Sequence, residues 1–128
     1  MNERRAARER ALELLYEAEV KDVAAAEIVA ALPVTPDEYT CALVAGVDEH
    51  RGEIDALVAA YAKGWTLERM PAVDRALLRL GTFELLHQPD VPVGAVISEA
   101  VELASQFSTD DSSRFVNGVL AAIARRDD

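Results

Sequence analysis

The chain holds one cysteine, Cys41, among 128 residues. A lone thiol closes no internal disulfide, so a cross-linked secreted scaffold is excluded. Thr40, Ala42 and Leu43 beside it are small or apolar, and Cys41 reads as a small buried apolar residue. Aromatic residues make up only 5% of the sequence, so a core has to be built from Ala, Leu and Val. No apolar run approaches the roughly 20 residues that span a bilayer. Residues 3–10 are charged and lack the apolar centre of a signal peptide. A cytoplasmic location without membrane contact is expected. No segment sustains the two-residue alternation of a strand. A Gly-rich phosphate loop and a local Ser-His-acid signature are missing too, which leaves little support for an enzyme or a nucleotide cofactor.

What is present is helical. Hydrophobic residues reach 51% and charged residues 28%, and the length is that of one domain over 1–128. Ala7, Ala11, Leu14, Leu15 and Ala18 form one apolar stripe, which predicts a helix over 3–18. A short Ala-rich helix over 24–31 stops at Pro33. Thr35, Pro36, Asp37 and Glu38 read as a helix start, with Thr35 as cap and Pro36 in the first turn. That helix runs to about residue 49, and a fourth follows from near Gly52 to about 63. A helical turn begins at Thr66. Residues 71–86 are apolar on most sides, the mark of a central helix with neighbours all round. Two more helices are predicted, over about 93–107 and from about 110 to 126. The expectation is an all-α fold of about seven helices in two packed bundles.

Charge is uneven. The net charge of −10 repels phosphate as a whole. Within residues 1–10, however, Arg4, Arg5, Arg8 and Arg10 stand against Glu3 and Glu9, so the side chains sum to +2 and the remainder to −12. Arginines at a helix start oppose the helix dipole, so folding does not explain them. Arg also suits planar phosphate and base contacts better than Lys. Tyr16, two turns beyond Arg8, reads either as a stacking surface for RNA bases or as a core residue.

Other constellations have plainer readings. Glu84 and His87 form one Glu-x-x-His pair, where a di-metal bundle needs two, and His50 directly follows Glu49 and does not supply the second. His87 therefore reads as solvated or capping, and no metal is expected. Glu99 and Glu102 read as the polar face of an amphipathic helix. Gly118 in mid-helix suggests close approach of another backbone, and Asn117 is either buried and bonded or exposed to a partner.

Four ordered blocks carry a family resemblance. They are Arg4-Arg5 with Arg8-Glu9, Ala11-Leu12 and Leu15-Tyr16; Val73-Asp74-Arg75-Ala76-Leu77-Leu78-Arg79-Leu80 with Glu84-Leu85; Pro92 with the stretch from Ile97 to Ala104; and Phe107 with Asp111-Ser112 and the stretch from Arg114 to Leu120. Together they resemble the NusB family over about residues 4–124. The resemblance implies two helical subdomains and no cofactor. It implies antitermination through boxA, a single-stranded RNA element of ribosomal RNA leaders. NusE, a small-subunit ribosomal protein, is the implied partner, and the pair joins the elongating RNA polymerase complex.

Carried over by position, the family pattern implies RNA contacts from Arg4, Arg5, Arg8, Tyr16, Asp111, Arg114 and Phe115. It also implies NusE contacts from Asp74, with Leu78 and Thr82 expected as an exposed part of the central helix. Ala6 stands where family members often carry another basic residue, so NusE is expected to complete the RNA surface. Family members occur as monomers and as homodimers, and either is implied. The competing readings are a module associated with an RNA methyltransferase, a homodimeric helical scaffold without RNA, and a metal-dependent bundle enzyme.

Overall fold

A computed structural model describes residues 3–126. Seven α-helices form, with no strand among the described residues: α1 (Glu3–Lys21), α2 (Ala25–Ala30), α3 (Glu38–Glu49), α4 (Arg51–Tyr61), α5 (Ala72–His87), α6 (Val93–Phe107) and α7 (Ser112–Ala124). A 3-10 turn, Leu67–Arg69, precedes α5. None of the helices is long and apolar enough to cross a membrane.

The helices make two packed groups. In the first, α1 contacts both α2 and α3; in the second, α4, α5, α6 and α7 pack together. Helix α5 joins the groups, since it touches α1 and α3 on one side and α4, α6 and α7 on the other. Its near-continuous apolar sequence follows from that position. Leu77 and Leu78 are adjacent in sequence, point about 100° apart, and are both buried. Each such leucine contributes about 1.5–3 kcal/mol by leaving water. Leu14, Leu43 and Val47 fill the first group; Ile54, Val58, Leu120 and Ile123 fill the second.

Glycines set two of the closest approaches. A Cβ on Gly46 would lie 2.2 Å from the Phe83 ring, so α3 sits against α5 only because that side chain is missing. A Cβ on Gly81 would lie 2.7 Å from Leu120, which fixes α5 on α7 in the same way. Gly118 does not play this role. Nothing lies within 4 Å of the position its Cβ would take, and both Gly118 and Asn117 face solvent.

Helix ends differ from the sequence expectation at the close of α1 and at the cap of α3. Helix α1 continues past Ala18 to Lys21 and closes with Asp22 at φ 56°, where Val23 N–H donates to Ala18 and Asp22 N–H to Glu19. This paired closure is usually made by glycine. Helix α3 is capped by Asp37, not Thr35, because the Asp37 carboxylate accepts from both the amide and the hydroxyl of Thr40. Gly52 lies near the break to α4 as expected, two residues past His50 and in the first turn of that helix. Cys41 is half-buried, and its thiol faces the Pro36 carbonyl at 3.5 Å.

Candidate nucleic-acid interface

Arg5 and Arg8 at the start of α1 are drawn onto acidic side chains from two other helices. Arg8 is only 4% exposed. Its guanidinium forks onto Glu84 of α5, with Nε to Oε1 and Nη2 to Oε2 both at 2.8 Å. The Tyr39 hydroxyl donates to the same carboxylate at 2.5 Å. Burial works to lower the Arg8 pKa, but the bonds and charge of Glu84 outweigh it and hold the cation. Burial, together with the bond to Glu84, raises the Tyr39 pKa. Arg5 forks onto Glu99 of α6 at 2.9 and 2.8 Å and reaches Glu102 at 2.6 Å. Arg5 in turn holds the Glu99 carboxyl below its ordinary pKa. Arg4 lies over the Tyr39 ring, 5.1 Å from its centroid.

These contacts change the reading of the arginine cluster. Arg8 was expected as a solvated phosphate contact, but it is a buried ion pair. Breaking it would strand a charge on each side, a loss of several kcal/mol in such sites. Glu99 was expected on a polar face, but it is buried against Arg5. Arg4 and Arg5 are half-buried and present part of their surfaces to solvent.

The opposite end of α5 is built differently. Asp74, in its first turn, is 3% exposed. One of its oxygens accepts from Ser108 at 2.5 Å and the other from Ser112 at 2.9 Å. The Ser112 hydroxyl also accepts from the Thr109 amide, so the α6–α7 turn is tied to α5 through one carboxylate. Beside it lies a cleft of about 230 Å³ whose walls include Trp65, Pro71, Asp74, Asp111 and Phe115. The Trp65 and Phe115 rings stand 6.1 Å apart at 58°. Next to that cleft, a groove of about 390 Å³ runs between α1 and the junction of α5 with α6, floored by Leu12, Tyr16, Val73 and Phe107. Tyr16, Trp65 and Phe107 are each more than 40% exposed.

The expected site residues are therefore divided. Tyr16, Asp74, Asp111 and Phe115 gather around the start of α5, with Arg114 exposed in the first turn of α7. Arg4, Arg5 and Arg8 gather near Glu84, ten residues farther along α5, or about 15 Å. Leu78 and Thr82 are fully buried rather than exposed, because α5 has neighbours on every side at those positions. The Thr82 hydroxyl makes no hydrogen bond among the described residues. Trp65 was not foreseen. Its signal was slight: the chain's one tryptophan, directly after Gly64, whose φ of +81° turns the chain out of α4.

The comparisons with known proteins agree with this architecture. The NusB family model matches residues 5–125. The transcription antitermination protein NusB of Kineococcus radiotolerans is 48% identical over 128 residues, covering 97% of this chain and 94% of its own. The structure of T. maritima NusB aligns with a TM-score of 0.87 at 32% identity, over 98% of this chain and 92% of that one. A crystal structure of the antitermination factors NusB and NusE in complex with dsRNA aligns at 0.81 and 29% identity, over 95% and 96%. With its family's model matched from residue 5 to residue 125, the chain belongs to the NusB family.

Proposed function

We propose that this chain is a non-catalytic transcription antitermination factor. It binds boxA RNA of ribosomal RNA leaders together with NusE, and the pair joins the elongating RNA polymerase complex. The observation that carries the reading is the likeness, over 95% of the chain, to a NusB crystallised with NusE and dsRNA, which supports RNA and NusE as partners. The exposed aromatic face fits the role, because unpaired bases stack on rings whereas a duplex hides them. Trp65, Phe115 and Tyr16 offer those rings, and the open sides of Arg4 and Arg5 together with Arg114 offer cations for phosphates. Arg8 has a different part: locked on Glu84, it fixes the start of α1 so that Arg4 and Arg5 are held in place.

Asp74 is the proposed meeting point with NusE. Leu78 and Thr82, being buried, stiffen α5 behind it and do not touch a partner. The net charge of −10 suppresses indiscriminate RNA binding, which leaves selectivity to the local face.

The test is boxA RNA binding with and without purified NusE, beside a scrambled RNA of equal length. Selective binding that strengthens with NusE is expected. Three phosphate contacts predict a shallow dependence on salt, a log–log slope of about −2. Equal binding of boxA and scrambled RNA in both conditions would overturn the reading and leave a helical scaffold. The groove floored by Leu12, Tyr16, Val73 and Phe107 would then be its dimer face, visible as concentration-dependent mass in solution.

A further inference from the structure

We propose that His50, Glu53 and His87 form a binding site for a zinc-class divalent metal ion at the corner where α3, α4 and α5 meet. The three residues are brought together by the fold. His50 closes α3 and leads into α4, Glu53 lies in the first turn of α4, and His87 ends α5. Glu53 Oε1 is 3.1 Å from His87 Nε2 and 3.7 Å from His50 Nδ1. The two imidazoles stack with centroids 3.9 Å apart and planes 22° apart. Phe83 backs both rings, at 6.1 and 5.5 Å, and limits where they turn. One ligand atom from each residue lies within 4.8 Å of the others. Tetrahedral zinc holds its donors about 3.3 Å from one another, so the donor distances close with movements of about 1.5 Å or less, and the two rings must also turn out of their stack to aim both nitrogens at one ion. Glu53 is about half exposed and the imidazoles about a third, so their side chains have room for that movement.

The chemistry of the group favours a cation. Two imidazole nitrogens and one carboxylate oxygen are a donor set that suits zinc-class ions and leaves a position for water. The C-terminal ends of α3 and α5 and the N-terminal end of α4 meet here, so their helix dipoles partly offset and the preference for a cation rests on the donor set. Glu84, the carboxylate that sequence spacing sets beside His87, is held by Arg8 and Tyr39. The carboxylate that meets His87 comes instead from α4, through a contact 34 residues away in sequence. Asp74 lies thirteen residues from His87, about 20 Å along α5, so such an ion would clip the far end of that helix to the α3–α4 corner.

The test uses the full chain, stripped with a chelator and titrated with zinc by calorimetry, then with cobalt followed by its visible spectrum. One equivalent should bind, with a tetrahedral cobalt band and a rise in thermal midpoint. Glu53→Gln and His87→Gln should each weaken zinc binding by about tenfold or more and abolish the band. Glu53 is exposed enough that its substitution keeps the fold, so that variant decides the matter if His87→Gln unfolds. Absence of stoichiometric binding to the wild type, or binding that survives undiminished in Glu53→Gln, would overturn the proposal.

Discussion

Two buried carboxylates on one helix, Glu84 and Asp74, are neutralised in opposite ways. Glu84 receives a forked guanidinium and a phenol, so its charge is answered inside the protein. Asp74 receives two serine hydroxyls, which satisfy its oxygens without bringing a cation. The first arrangement locks α1 onto α5. The second sets a carboxylate paired only with hydroxyls among the described residues beside an aromatic cleft. One arginine of the basic cluster, Arg8, is thus a structural lock, and the acidic position is the one set beside an open cleft.

Substituting each carboxylate by its amide separates the two roles. Glu84→Gln leaves the buried Arg8 with only the more distant Glu99 carboxylate, 3.8 Å away, as counter-charge and should cost about 3–5 kcal/mol in denaturant unfolding. Asp74→Asn keeps part of the hydroxyl bonding and should cost only about 1–2 kcal/mol. Binding to NusE and boxA RNA should reverse that order, with Asp74→Asn the more damaging once protein folded at low temperature is compared. Equal stability losses would show that the two carboxylates are not differently neutralised.

Glycine gives a second contrast between close packing and open surface. Gly46→Ala drives a methyl into the Phe83 ring and should cost about 1–3 kcal/mol, read as a lower thermal midpoint. Gly118→Ala meets nothing and removes a poor helix former, so it should gain up to about 1 kcal/mol. If Gly118→Ala lost stability, the middle of α7 would have a neighbour in solution that the monomer does not supply. Thr82→Val tests α5 between its two ends. It removes a buried hydroxyl without a partner and should gain about 1 kcal/mol, with RNA and NusE binding unchanged. A selective loss of NusE binding would return Thr82 to the interface.

Local chemistry was legible in the sequence; long-range pairing was not. The apolar stripe of α1, the all-round apolarity of α5 and the bounds of α6 follow from periodicity, which depends on neighbours within a few residues. Arg8 with Glu84 is a contact across 76 residues, and Arg5 with Glu99 one across 94. Nothing in the local pattern tells a salt-bridged arginine from a solvated one. Gly118 failed for a related reason. A glycine in mid-helix reports that a side chain is missing there, while only the packed neighbours report whether its absence is needed. Gly46 needs it and Gly118 does not.

The smallest expected effect is also the one that probes the border between locked and open surface. Arg5 lies beside the Arg8–Glu84 pair yet is half-buried, and its bond holds Glu99 below the ordinary carboxyl pKa. A carboxyl lowered by folding contributes stability that is complete above its unfolded pKa, near 4.3 for Glu, and lost as pH falls through the folded value. Thermal midpoints should therefore drop below about pH 4.3, and Glu99→Gln should flatten that drop while lowering the plateau at neutral pH. Asp37, lowered by the Thr40 hydroxyl and then by the Thr40 amide, contributes in the same direction. The difference between wild type and Glu99→Gln across the acid range isolates the Glu99 part. Parallel profiles would mean that solvent screens Arg5 from Glu99, and that the locked end of the molecule stops at Arg8.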